Sequence, residues 1–265
     1  MNLMGALTAR HAFCRCLAIA ALFCLATSCR SHAKVEEPAD DLPPAAESIA
    51  QADQLYAGRE DLNNLRRGII ALGRARLADP ASYDAAWRLA KFDSYLATHT
   101  DNAAERDKAF REGIEAGKEA VRLQGGRPEG HFWLGANYGE SAQAGLLQLA
   151  TVDDIRGEME AVLRIDEGYQ NGSAYMVLGL VYLKAPAIAG GDSHKAVEEM
   201  EKGLRFGEGN AFLRLHLAEA YIAVGRKADA RKQLDAILSM TPDPDYMPEY
   251  KEASAQARKL LDQTG

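Results

Sequence analysis

Residues 190–242 read GGDSHKAVEEMEKGLRFGEGNAFLRLHLAEAYIAVGRKADARKQLDAILSMTP, and this stretch decides the fold. It divides into three helices separated by glycine-rich turns. Gly190-Gly191 break the chain, and Asp192-Ser193 offer side-chain oxygens to the free amides that open a helix. From Lys195 to Arg205 the apolar residues Ala196, Val197, Met200 and Leu204 recur at the spacing of one helical face. Gly207-Glu208-Gly209-Asn210 then turns the chain into a helix over Ala211–Val224. Gly225 closes that helix, Ala228–Met240 forms the next, and Pro242, which has no amide hydrogen to donate, ends it.

Within Ala211–Pro244 the pattern resembles a tetratricopeptide repeat (TPR). Leu217-Ala218 and Tyr221 lie on the first helix, followed by Gly225, then Ala230, Leu234 and Ile237 on the second, then Pro242. The small Ala218 and Ala230 let two helix backbones approach, while Tyr221 and Leu234 fill the space around them. Arg214 stands where such repeats carry a tryptophan. The expected fold is all-α, a TPR-like α-solenoid of stacked helical hairpins.

The same pattern recurs upstream. Glu47–Gly58 and Asp61–Asp79 form a first pair, with Gly68, Leu72 and Ala75 at the small-large-small positions of its second helix. Trp87, Leu89-Ala90 and Phe92 mark the next helix, followed by Ala103–Leu123 with Phe110, Gly113, Gly117 and Ala120 on one side. His131-Phe132-Trp133-Leu134-Gly135-Ala136-Asn137-Tyr138-Gly139 opens a third pair and Leu178-Gly179-x-x-Tyr182 a fourth. The Leu-small pairs at Leu89, Leu134, Leu178 and Leu217 are 45, 44 and 39 residues apart, longer than the period of about 34 of a regular TPR. The excess falls in two apolar connections, Glu140–Ala150 and Lys184–Gly191, and solenoid insertions gather on one face. Asp245–Gln263 reads as a final polar helix that caps the stack.

The chain has 265 residues and a formal net charge of −7. The first 28 residues carry Arg10 and Arg15 and no acid, so the remainder stands near −9, which argues against a nucleic-acid partner. All four cysteines, Cys14, Cys16, Cys24 and Cys29, lie in the first 29 residues, leaving the repeats without disulfide or thiolate metal ligands. Cys16–Ala26 is an apolar run too short to span a bilayer and suited to a signal-peptide core. It ends Leu25-Ala26-Thr27-Ser28-Cys29, small residues before a cysteine, which resembles a bacterial lipobox. Residues 1–28 are therefore expected to be a lipoprotein signal peptide, with Cys29 acylated. Residues 29–46, with Pro38, Pro43, Pro44 and four acids, are expected to be a flexible tether, and 47–265 the repeat domain.

The aromatic helix His131–Gly139, the proline-containing connection ending Gly190-Gly191-Asp192, and Lys195-Ala196 ahead of the Ala211–Leu238 pair occur together. This layout resembles the T component of tripartite ATP-independent periplasmic (TRAP) transporters, over roughly Glu47–Leu261. The resemblance implies a membrane-tethered protein on the periplasmic face of the outer membrane. It also implies association with a periplasmic solute-binding protein, a homo-oligomer with a central pore, and an apolar or organic-acid ligand. The other reading of the repeats is a generic TPR scaffold in envelope or outer-membrane assembly.

The residues offer no catalytic constellation. None of the six histidines stands in metal-ligand spacing with another ligand on one helical face, and no phosphate loop or nucleophile elbow is present. The chain is read as a non-enzyme with no cofactor. Binding candidates are the aromatic stretch His131, Phe132 and Trp133, the apolar connections with Leu146, Leu147, Pro186 and Ile188, and the turn Gly190, Gly191, Asp192, whose free amides could hold an anion. Side chains from the two connections are expected to line a concave or pore-like surface.

Overall fold

The structure is a computed structural model that describes residues 42–146 and 151–264. The signal segment, Cys29, most of the tether and Leu147 lie outside the described residues. Eleven α-helices make up the described chain: α1 Ala45–Ala57, α2 Leu62–Ala78, α3 Tyr83–His99, α4 Ala103–Gln124, α5 Pro128–Gln143, α6 Val152–Ile165, α7 Ser173–Lys184, α8 Ser193–Gly203, α9 Ala211–Ala223, α10 Lys227–Ser239 and α11 Met247–Thr264. Among the described residues there is no strand.

Six of the helix starts are fixed by a side-chain cap. Asp61, Ser82, Asn102, Thr151, Asp192 and Asn210 each precede a helix and accept from one or more of its first amides. At Thr151 the cap is reciprocal, since Asp154 reaches back to the Thr151 amide. α1 begins at Ala45, two residues inside the stretch expected to be tether. α5 runs on to Gln143, so the first connection is shorter than its sequence suggested, because Glu140 and Ser141 continue the helical face. Ser141 is fully buried and Glu140 bonds the preceding inner helix through Ser94.

The helices pack as five antiparallel pairs, α1–α2 through α9–α10, with α11 against α9 and α10. Successive pairs stack, α3 on α5, α5 on α7 and α7 on α9, which is the ladder of a TPR-like solenoid. Small residues set the spacing. A Cβ on Gly117 would fall 2.9 Å from the Cα of Leu134, so α4 and α5 cross backbone to backbone. Buried Asn137 ties the inner helices together, donating to Ala90 O on α3 at 2.9 Å. At the expected tryptophan position Arg214 instead bridges Glu208 O (2.7 Å) and Gln233 Oε1 (2.6 Å), so hydrogen bonds replace ring packing. The core runs along the stack. Leu213, Leu217, Leu234 and Ile237 fill the last pairs; Leu65, Leu72, Phe92 and Phe110 fill the first.

Candidate functional site: an interior lumen

The inner helices α1, α3, α5, α7 and α9 turn one face toward a common cavity of roughly 1460 Å³. The periodicity of that face is visible on two of them. On α5 it is Phe132, Trp133, Ala136, Gly139, Glu140 and Gln143; on α7 it is Met176, Val177, Leu180, Val181 and Lys184. Both follow the three- and four-residue steps of a helical stripe. The outer edges of the same helices supply the core, so α7 and α9 are apolar around most of their circumference. α7 has a mean composition to match, SAYMVLGLVYLK, and buries Ala174, Tyr175, Leu178 and Gly179 while leaving Val177 and Leu180 half-exposed to the cavity.

A strap crosses this cavity. After α10, residues Met240–Tyr250 line it from end to end and return toward the first helix pair. Arg59, in the α1–α2 turn and 5% exposed, holds the strap in place. Its Nη2 donates to Glu249 Oε2 at 2.6 Å and to Asp245 O at 2.7 Å, and its Nε donates to Glu249 Oε1 at 3.1 Å. This is the two-pronged geometry in which a guanidinium pairs best with a carboxylate. Lys251 pairs with Glu60 at 2.9 Å beside it, and the Tyr246 hydroxyl reaches Gln170 Oε1 at 3.3 Å. The first and last elements of the stack, some 190 positions apart, therefore meet, and the strap covers one side of a lumen that stays partly open to solvent.

The lumen wall is mostly apolar along α5 and α7 and charged elsewhere, with seven acids, among them Glu60, Glu208, Asp243 and Asp245, against Arg59, Lys91 and Lys184. Burial pulls the Lys91 ammonium down to about 8, with the Arg59 charge acting the same way. Burial also pushes the Glu140 carboxyl up to about 7, against the Ser94 hydroxyl that donates to it at 2.6 Å. Burial raises the Tyr56 hydroxyl above its usual range, so it remains a neutral donor. At the α9 side His216 Nδ1 lies 3.0 Å from Glu219, and Lys184 lies 3.7 Å from the same carboxylate. Among the described residues no group of three or more His, Cys, Asp or Glu could hold a metal ion. No described helix is long and apolar enough to cross a membrane.

The sequence candidates are divided by this geometry. Phe132, Trp133 and Pro186 line the lumen. His131 does not: its Nδ1 meets Glu158 at 2.6 Å and its Nε2 meets Gly125 O at 3.0 Å, a tie between α5, α6 and the preceding turn. Leu146 packs into the core of the first two pairs, because its amide folds back on Ser141 O at 2.9 Å. Ile188 points away and is fully exposed on a single 3-10 turn, Ala187–Ala189. The Gly190-Gly191-Asp192 turn has no amide to spare for an anion. The Asp192 carboxylate accepts from His194 N and Lys195 N, and the Gly191 amide donates to Pro186 O. The lumen wall thus comes chiefly from the inner helices and the strap, not from the two connections. Tyr56, Lys91, Glu140 and the strap were not singled out from the sequence. Their facing depends on how the pairs curve, and only the i, i+3, i+4 recurrence on α5 and α7 signals it locally.

Two solved structures share this architecture. A thermophilic TPR protein of Thermus thermophilus superposes with a TM-score of 0.56 at 21% identity, over 79% of this chain and 98% of its own. PilF of Pseudomonas aeruginosa gives 0.54 at 18% identity, over 83% and 92%. At that identity the likeness concerns the fold, and it agrees with the helix pairing above. No curated protein matches the sequence. Residues 94–265, from the middle of α3 to the end, match the family described as TRAP transporter T-component. The chain belongs to the TRAP transporter T-component family.

Proposed function

We propose that this protein is a lipid-anchored accessory of a TRAP transporter. It docks on the transporter's periplasmic solute-binding subunit and presents its lumen to the transported ligand. No bond is made or broken; the work is recognition. The observation that carries the reading is the family match over residues 94–265 combined with a wall of half-exposed apolar side chains around a cavity of roughly 1460 Å³. A cavity of that size lined this way is suited to a small organic molecule. The anchor rests on Leu25-Ala26-Thr27-Ser28-Cys29. An acylated Cys29 gives about 0.8 kcal/mol per buried methylene, enough with several chains for a firm hold on the periplasmic face of the outer membrane.

The test is co-purification of the full chain from detergent-solubilised membranes. Enrichment of a TRAP solute-binding subunit supports the reading, and its absence at stoichiometric recovery of the bait contradicts it. Labelling with radioactive palmitate checks the anchor: the wild-type chain takes up label, and Cys29→Ser removes the label and moves the protein to the soluble fraction.

A further inference from the structure

One outer helix is charged unlike the rest of the chain. α2 carries Arg66, Arg67, Arg74 and Arg76 and no acid, in a protein whose formal net charge is −7. Its buried face, Leu65, Gly68, Ala71, Leu72 and Ala75, packs on α1 and α3. The opposite face runs Asn63, Arg67, Ile70, Arg74 and Leu77, all exposed and recurring at the spacing of one helical stripe. Ile70 is 58% exposed and Leu77 66%. The other large exposed apolar residues among those described, Ile165, Ile188, Phe206 and Tyr246, lie singly on different segments. Only α2 sets two of them on one face.

Beside the stripe, Arg66 pairs with Glu105 of α4 at 2.7 Å, and Arg76 is half-buried. The acids that flank the helix serve its turns: Asp61 accepts from the Asn63 amide and Asp79 from the Ala81 amide. A Cβ on Gly73 would meet nothing within 4 Å, so the middle of the stripe is open to close approach. An arginine can lay its hydrocarbon stem beside an aliphatic neighbour and carry its guanidinium to a phosphate. The position in the chain points the same way. Sixteen positions separate Cys29 from Ala45, where α1 begins, a reach of at most about 55 Å when fully extended. The α1–α2 pair is thus the part of the stack that an anchor at Cys29 keeps nearest the bilayer. An anionic surface repels the acidic remainder of the chain and attracts this helix.

We infer that the outer face of α2 docks on an anionic phospholipid surface, with Arg67 and Arg74 on lipid phosphates and Ile70 and Leu77 among the headgroups. The inference rests on the membrane-tethered reading above and adds how the tethered stack is oriented: α2 lies against the lipid, with α1 and α3 behind it. Two aliphatic side chains make a shallow contact, far less than an interfacial helix that binds unaided. Beside an anchor the same contact becomes intramolecular, and proximity holds it.

The experiment is flotation of the full-length Cys29→Ser chain with liposomes, which takes the acyl anchor out of the measurement. Liposomes of phosphatidylcholine alone are compared with liposomes in which about a third of the lipid is phosphatidylglycerol. The apolar run Cys16–Ala26 and the cations Arg10 and Arg15 are common to every variant, so substitutions on α2 decide the outcome. Partition onto the anionic liposomes is expected to fall about fivefold in Arg67→Gln, the value of one cation at an anionic surface. It should fall at least about tenfold in Leu77→Asp, which loses apolar contact and adds a like charge. Arg67→Lys should keep it, and Tm should stay constant throughout because both positions are exposed. Equal partition of the parent chain onto both liposomes, or partition unchanged by Arg67→Gln and Leu77→Asp, overturns the docking face. If these variants instead lose self-association in sedimentation, or lose the solute-binding subunit in co-purification, while partition holds, the stripe is a protein contact and the inference is equally overturned. Acylation is read separately, by palmitate labelling of the wild-type chain; its failure removes the anchor and leaves the docking face to stand or fall by flotation.

Discussion

Glu140 shows how a single lumen residue couples stability to pH. Its carboxyl ionises near 4.5 in an unfolded chain and holds its proton to about 7 in the fold, because burial disfavours the charge. Between those values the native state keeps a proton that the unfolded state has lost, so stability falls as pH rises through the window and is level above it. The full difference is on the order of 3 kcal/mol, reduced by whatever water the lumen admits. Glu140→Gln should therefore leave stability at pH 4 almost unchanged and raise it at pH 8, as read from urea midpoints; a parallel shift at both pH values would refute the assignment. Asp93 adds to the same slope. It is 1% exposed, burial raises its carboxyl well above the usual range, and its Oδ2 has no partner. Asp93→Asn should likewise gain stability as pH rises. Neither residue could be chosen from the sequence: both sit on α3 and α5 among other polar positions, and only the packing of α3 on α5 decides that they leave water.

At the scale of elements, the turn between α7 and α8 is fixed by its glycines rather than by apolar contact. A Cβ on Gly191 would collide with the Ala185 carbonyl oxygen, and Gly190 has φ +88°, a left-handed value that side chains resist. Gly191→Ala should cost about 1–3 kcal/mol in urea unfolding, whereas Ile188→Asp, three residues earlier and fully exposed, should cost nothing measurable. If Ile188 contributes to docking on the solute-binding subunit, Ile188→Asp lowers recovery of that subunit in co-purification while the melting temperature stays constant. The helices themselves were legible. Leu-small-x-x-Tyr runs at Leu134–Tyr138 and Leu178–Tyr182, together with glycine and proline breaks, located every inner helix, because helical periodicity and capping are local. The facing of the connections is not legible for the opposite reason. Leu146 and Ile188 are equally apolar in sequence, and tertiary packing alone sends one into the core and the other into solvent.

The whole molecule adds what no repeat contains, the closure of the stack. Arg59 and Glu249 are far apart in sequence and carry no motif, so the strap across the cavity is not readable from spacing. Breaking the contact tests it. Arg59→Ala leaves Glu249, partly buried, without its partner and should cost on the order of 2–3 kcal/mol. Hydrogen exchange should quicken in α1, α2 and the start of α11, with α5–α8 unchanged; uniform quickening would mean that the ends are not a separable clasp. The stacked pairs and the family match are what the proposed adaptor role rests on. The most direct measurement is uptake of the transported solute by cells in which this chain is deleted while the TRAP solute-binding and membrane subunits remain. The account predicts reduced uptake, restored by the wild-type chain and not by Cys29→Ser; uptake equal to that of the parent strain would contradict it.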